Sequence, residues 1–289
     1  MYQKPSAPSG IGGVLDDSFK LYRNAFAKSW GLALCGQVLL AIPAMVLRFQ
    51  VKGANFTAGN AQAALAVFKS PSVWLSYLAM VVVAMGFYNA LVAQIDGSAK
   101  SREQSVGASM RTGFRLLPRS ILLIVVLMGA VLVAALAAGI VIGGFSRFLS
   151  PIVSGVVVAA LAVAAIYVWG RAFLANVALV VEDAGVFRSL GISWRLIKGH
   201  WWRTATVYSV ALIIVMVFYV VIIMADGIVG VALRGSVAAA TALSQLVSIL
   251  GGSFLMSFLP AVLLSMYYDL KLRKEGSDLA DRVNALAPE

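Results

Sequence analysis

The sequence predicts an all-α integral membrane protein with six transmembrane helices, arranged as three repeats of an amphipathic interfacial helix plus a transmembrane hairpin. Three observations predict it. The chain is 61% hydrophobic and only 12% charged, whereas soluble domains are roughly half apolar and a quarter charged. Apolar stretches of eighteen residues or more recur from end to end, each long enough for a hydrocarbon core of about 30 Å. The pattern of basic residues and small motifs then repeats three times along the 289 residues.

Taken in order, residues 1–13 are polar and show no short apolar run with a small-residue cleavage site. No signal peptide is therefore expected, and the first span directs insertion. Spans are expected at 30–48, 72–95, 118–146, 151–181, 204–228 and 240–267. Between the first two, Asn60 caps the apolar run 61–68, which Ser70-Pro71 ends, so a short surface helix is predicted there. Residues 146–150 form a tight turn between the third and fourth spans. Gly251-Gly252 and Pro260 weaken the last span, which should be bent and packed inside the bundle. The domain reading is one membrane domain over 1–289, with repeats of about 14–97, 105–184 and 189–270, and a cytoplasmic tail from 271.

The basic residues orient this chain. Seventeen of the 23 Lys and Arg fall with the N-terminus and five on the other side, with Arg171 inside a span. By the positive-inside rule both termini face the cytoplasm. The expected location is a bacterial inner membrane, crossed many times. The net charge of +11 is thus accounted for by topology. Nucleic acid is not an expected partner, because the cations are divided among short inter-helix segments with no soluble reading domain.

The repeat is carried by Ser18-Phe19-Lys20, Ser109-Met110-Arg111 and Ser193-Trp194-Arg195, spaced 91 and 84 residues apart. Lys28-Ser29, Arg119-Ser120 and Arg203-Thr204 keep the same register, and Asp96, Asp183 and Asp269 close the second, fourth and sixth spans. In the first copy Leu15, Phe19, Tyr22 and Phe26 make one helical stripe. Val106, Met110, Gly113 and Leu117 repeat it in the second copy, and Leu190, Trp194, Ile197 and Trp201 in the third. These pre-helices are expected in the cytoplasmic interface, either as topological anchors or as a site for lipid headgroups. Candidate headgroup residues are Lys20, Arg23, Arg111, Arg115, Arg195 and Lys198.

The run Leu15-Asp16-Asp17-Ser18-Phe19-Lys20-Leu21-Tyr22-Arg23-Asn24-Ala25-Phe26 and the closing Tyr268-Asp269-Leu270-Lys271-Leu272-Arg273-Lys274-Glu275-Gly276 resemble signatures of uncharacterised bacterial multi-pass families. Those families are related to the membrane domain that precedes some glycerophosphodiester phosphodiesterases. The resemblance covers nearly the whole chain and implies an accessory membrane domain serving envelope or lipid homeostasis. In that enzyme group the catalytic domain is a separate soluble one, and only about twenty residues follow Tyr268 here. The phosphodiesterase activity does not carry over.

Polar residues inside spans are the default functional candidates. Arg171 follows nineteen residues of the fourth span, about 28 Å of helix, so it is expected to snorkel to the headgroups. Asn89 and Asn176 each lie seven residues before a repeat-end Asp and can hydrogen-bond across helices. Gln37, Gln245 and Asp226 are isolated.

Catalysis is argued against. Acid–base or metal chemistry needs clustered His, Asp, Glu or Cys, yet there is one Cys, Cys35, and one His, His200. No metal site and no cofactor is expected. Two readings stay open: a structural or regulatory membrane module interacting with anionic lipid, and a transporter or lipid-translocating protein with a site among the three repeats. The expected partners are membrane lipids, and an oligomer is compatible with either reading.

Overall fold

The computed structural model describes residues 8–53, 69–102, 104–145 and 151–286. The expected helix over 61–68 and the turn at 146–150 lie outside them. Every helix or strand assigned among the described residues is a helix: α1 (Ile11–Gly53), α2 (Pro71–Ala99), α3 (Val106–Phe145), α4 (Pro151–Ala172), α5 (Ala175–Val181), α6 (Val186–Ile197), α7 (Trp201–Ala232) and α8 (Val237–Leu286). Six stretches are long and apolar enough to cross a membrane: Ile11–Leu47, Pro71–Ala99, Val106–Ala137, Gly155–Val181, Trp201–Ala232 and Val237–Gly276.

The first two pre-helices are not separate elements, which corrects the sequence reading. They are the opening turns of α1 and α3, helices of 43 and 40 residues. Nothing in Ala27-Lys28-Ser29-Trp30 breaks a helix, and α3 runs through Pro118, which removes one backbone donor without obliging the helix to stop there. Only the third copy is separate. There α6 ends at Ile197, and Gly199 at φ +86 turns the chain before α7, a conformation open to a residue without Cβ.

The buried stripe also differs from the predicted one. In α1 the buried residues are Val14, Ser18, Leu21, Ala25, Ser29, Leu32, Ala33 and Gly36, while Phe19 is exposed and Tyr22 and Phe26 are half-buried. In α3 they are Ser109, Gly113, Leu116, Ser120 and Leu123, with Val106 and Phe114 exposed. Small side chains let the helix backbones approach, and the bulky rings are left flanking the contact. Gly113 makes this concrete. A Cβ there would lie 2.5 Å from the Gly86 carbonyl oxygen of α2.

The fourth span is present as Gly155–Val181 but is not one unbroken helix, since α4 stops at Ala172 and α5 restarts at Ala175 across Phe173 and Leu174. The expected tail continues α8 as helix to Leu286.

Packing is concentrated at one end. Residues 86–99 of α2, the segment from Ala172 to Val186 and residues 252–270 of α8 supply most of the core, and α1 lays its buried stripe against α2 and α8. Pro260 is buried within this part of α8. The opening turns of α1 and α3 and the whole of α6 meet there, so most of the described cations do too; this is called the basic end below. Away from it, α4, α7 and the second half of α3 present Val133, Ile140, Val163, Ile166, Met216 and Ile223 outward.

Candidate functional site

Four carboxylates tie the basic end together. Asp269 of α8 accepts hydrogen bonds from Arg203 (3.1 Å), from Arg273 (3.0 Å) and from the Ser9 backbone N–H (2.9 Å). Both arginines also donate to the Ser9 carbonyl, which pins the backbone just ahead of α1 to α7 and α8. Asp183 bridges Arg115 (2.9 Å) and Arg119 (2.7 Å) of α3. Its backbone is left-handed, φ +48, a conformation Asp tolerates better than most residues. Asp96 accepts from Lys100 and from the Tyr268 hydroxyl, and Glu182 from Lys271 and the Tyr267 hydroxyl.

These clamps are unequal. Asp269 is almost wholly buried, with 6% of its side chain exposed, against 51% for Asp183. A buried charge that loses its partner costs several kcal/mol, while an exposed pair contributes about 0–1 kcal/mol. Asp269 is therefore the clamp that matters for stability. Burial alone would raise the Glu182 carboxyl, but hydrogen bonds from Tyr267 and Lys271, with the Lys271 and Arg188 charges, outweigh it and hold the group below its ordinary value.

The six candidate headgroup residues divide into two sets. Lys20 pairs with Asp16 one turn earlier, and Arg115 is held by Asp183. Arg23, Arg111, Arg195 and Lys198 are exposed and have no ion pair or side-chain hydrogen bond among the described residues. They stand on α1, α3, α6 and the turn after α6.

Arg171 is held between aromatic rings inside the protein. It is 8% exposed, with its guanidinium 4.5 Å from the Trp194 ring centroid and 5.2 Å from that of Tyr167. Aromatic faces attract such a cation by their quadrupole. Its Nε is buried without a hydrogen-bond partner, and its carbonyl accepts from Ser193 at 2.7 Å. The break after Ala172 places it there, at the junction of α4 and α6.

The two amides meet. Asn176 of α5 donates to the Asn89 carbonyl oxygen (3.0 Å), and Asn89 donates to Ser120 (2.8 Å) and to the Gly113 carbonyl (3.4 Å). One polar ladder thus joins α5, α2 and α3. Asp226 accepts from Ser248 (3.0 Å), while its second oxygen is buried with no partner. Gln37 packs against Gly252, where an added Cβ would lie 3.0 Å from its amide.

Sequence reasoning passed over the buried polar positions facing these. Ser109 donates to Gln94 of α2, whose amide nitrogen donates to the Gln104 carbonyl (3.3 Å), and Ser265 donates to the Val14 carbonyl (3.2 Å). Ser18, Ser109 and Ser193 are all fully buried, as are Ser29 and Ser120, with Thr204 nearly so. The signal was the register of the motifs itself. Among the described residues no group of three or more His, Cys, Asp and Glu is placed to hold a metal ion.

No protein-family model matches the chain, and no curated protein and no solved structure matches it.

Proposed function

We propose that this protein is a non-catalytic structural or regulatory membrane module whose basic end rests on an anionic lipid surface. The observation that carries this reading is the division of the cations. Asp96, Asp183, Asp269 and Glu182 engage Lys100, Arg115, Arg119, Arg203, Arg273 and Lys271. Arg23, Arg111, Arg195 and Lys198 are left exposed for an outside anion. Polybasic surfaces of this kind bind anionic leaflets, each cation contributing about 1 kcal/mol.

The matching burial of Ser18, Ser109 and Ser193, each followed two residues later by a cation (Lys20, Arg111 and Arg195), supports three equivalent units delivering cations to one side. With the charge asymmetry of the connections, that side is the cytoplasmic one, both termini lie on it, and the membrane is a bacterial inner membrane. The resemblance to accessory membrane domains of lipid enzymes agrees with this role. A transporter would need a polar route through the bundle, and where the helices pack most closely Phe87, Leu91, Leu179, Leu264 and Tyr267 are fully buried.

Replacing Lys20, Arg111 and Arg195 together with Gln tests the reading. The variant should remain inserted, because fourteen cations on that side still exceed five on the other, and it should retain less anionic lipid in native mass spectrometry. Unchanged retention by a folded triple variant would reduce the basic residues to topological anchors.

A further inference from the structure

One groove outside these clamps has the two-zone chemistry of a lipid. Between α1 and α8 lies a groove of about 560 Å³ with Phe19, Tyr22, Phe26 and Phe254 as its floor and Asp16, Lys20 and Arg23 as its rim. Phe19, Tyr22 and Phe254 also line a second, narrower slot of about 260 Å³, which runs on between α7 and α8 past Ile214, Phe218 and Ile222. The two spaces meet at these shared rings. From Ile214 to Ile222 the slot follows α7 for about 12 Å at 1.5 Å per residue.

The rings are fixed. The Tyr22 hydroxyl donates to the Phe254 carbonyl (2.9 Å), Phe26 stacks on Phe254 with centroids 5.3 Å apart, and Phe19 lies 5.3 Å from Phe258. Phe19 and Phe254 nevertheless stay 45% and 47% exposed, both toward this groove. In the slot's lining Gly251 lets the Ile222 side chain of α7 lie directly on α8, since a Cβ there would lie 2.6 Å from Ile222 Cδ1. At the rim Lys20 is neutralised by Asp16, and Arg23 is the cation without a partner among the described residues.

We propose that this groove holds one anionic phospholipid, an acyl chain in the slot beside α7, the aromatic collar at the glycerol level and the phosphate on Arg23. Charge complementarity selects the occupant. The slot is lined by hydrocarbon but for Tyr22, whose hydroxyl is already engaged, so only a chain-like apolar group fits it. The rim carries a net positive charge directly above. Arg suits a phosphate through its paired, fork-like donors. The inference rests on the anionic-lipid reading above and turns it into a site with one ligand.

The test is a titration of the purified full-length chain, in uncharged detergent micelles, with tail-labelled phosphatidylglycerol read by fluorescence anisotropy. Unlabelled phosphatidylglycerol, phosphatidylcholine and inorganic phosphate serve as competitors. Phosphatidylglycerol should compete with a stoichiometry near one, phosphatidylcholine at least fivefold more weakly, and inorganic phosphate not at all. R23Q should weaken binding about fivefold, the ratio expected for one cation at an anionic surface. G251L should weaken it further by driving Ile222 into the slot, and R23Q, a surface change, keeps the test valid should G251L not fold. Equal competition by phosphatidylcholine, displacement by inorganic phosphate, or wild-type binding by both R23Q and G251L would overturn the site. If those two variants bind as wild type while the Lys20, Arg111 and Arg195 triple variant loses lipid, the basic surface stands and the groove falls. No preference for phosphatidylglycerol in any variant would remove both.

Discussion

The second and fourth spans are equally apolar and are packed very differently. Their most apolar windows have mean hydropathies of 1.9 and 2.0, yet 50% of the first is buried against 11% of the second. Lipid is as apolar as leucine, so hydropathy drives insertion and does not choose which helix is central. The difference lies in the minority residues. The inner half of α2 carries Gly86, Asn89, Gln94 and Gly97, each matched by a neighbour's side chain or backbone. Over most of its length α4 offers Val, Ala, Leu and Ile with Gly155, and its one strongly polar side chain, Arg171, lies in its last turn where packing resumes. Small and polar residues therefore mark the central helices, and an unbroken aliphatic run marks a lipid-facing one.

The most damaging break should come from the best-buried clamp. D269N leaves Arg203 and Arg273 facing a neutral amide at a site 6% exposed, and a loss of about 2–3 kcal/mol follows from stranding a buried charge. Thermal unfolding in micelles checks this. D183N, at an exposed clamp, should cost under about 0.5 kcal/mol by the same measurement. Equal losses would show that burial does not rank the clamps.

A smaller effect is expected from the amide ladder. N89L removes the bonds to Ser120, the Gly113 carbonyl and Asn176, and interhelical hydrogen bonds in membranes average about 0.6 kcal/mol with a maximum near 1.7. A loss of about 1 kcal/mol is predicted. N176L should cost less, because it removes only the outer bond of the ladder.

How far the sequence revealed this follows from which residues dominate a pattern. Six long apolar helices are legible, because spans depend on composition alone. Asn89 and Asn176 are legible as candidates through their matched distances from Asp96 and Asp183. The buried stripe is not, because Phe19, Tyr22 and Phe26 dominate any apolar count while Ser18 and Ser29 are what the helix buries. Nor is the break at Phe173 and Leu174, which no Gly or Pro announces. The sandwiching of Arg171 by Trp194 depends on that break and on α6 being separate from α7, so it too required the fold.

A further predicted effect is on pH. Glu182 lies just beyond the fourth span with its carboxyl held below its ordinary value of 4.5. A depressed acid contributes stability that is present above the unfolded value and lost as pH falls through the folded one. The difference in unfolding temperature between wild type and E182Q should therefore be constant from pH 8 to pH 6 and shrink below about pH 4.5. The stability behind it should amount to less than about 1 kcal/mol, since the pair is partly exposed. A difference that grows on acidification would reverse the assignment.

The comparison between the two spans is tested most directly by tryptophan scanning, which adds bulk where lipid can yield and disrupts where a helix is packed. Val158, Val163 and Ile166 of α4 are exposed, and Ala90, Ala93 and Ile95 of α2 are buried. Substituted one at a time with Trp, the first three should leave expression and unfolding temperature near wild type. The second three should lower unfolding temperature steeply or abolish accumulation, as overpacking a filled core does. Equal tolerance of Trp at both sets of positions, or a loss confined to α4, would contradict the account.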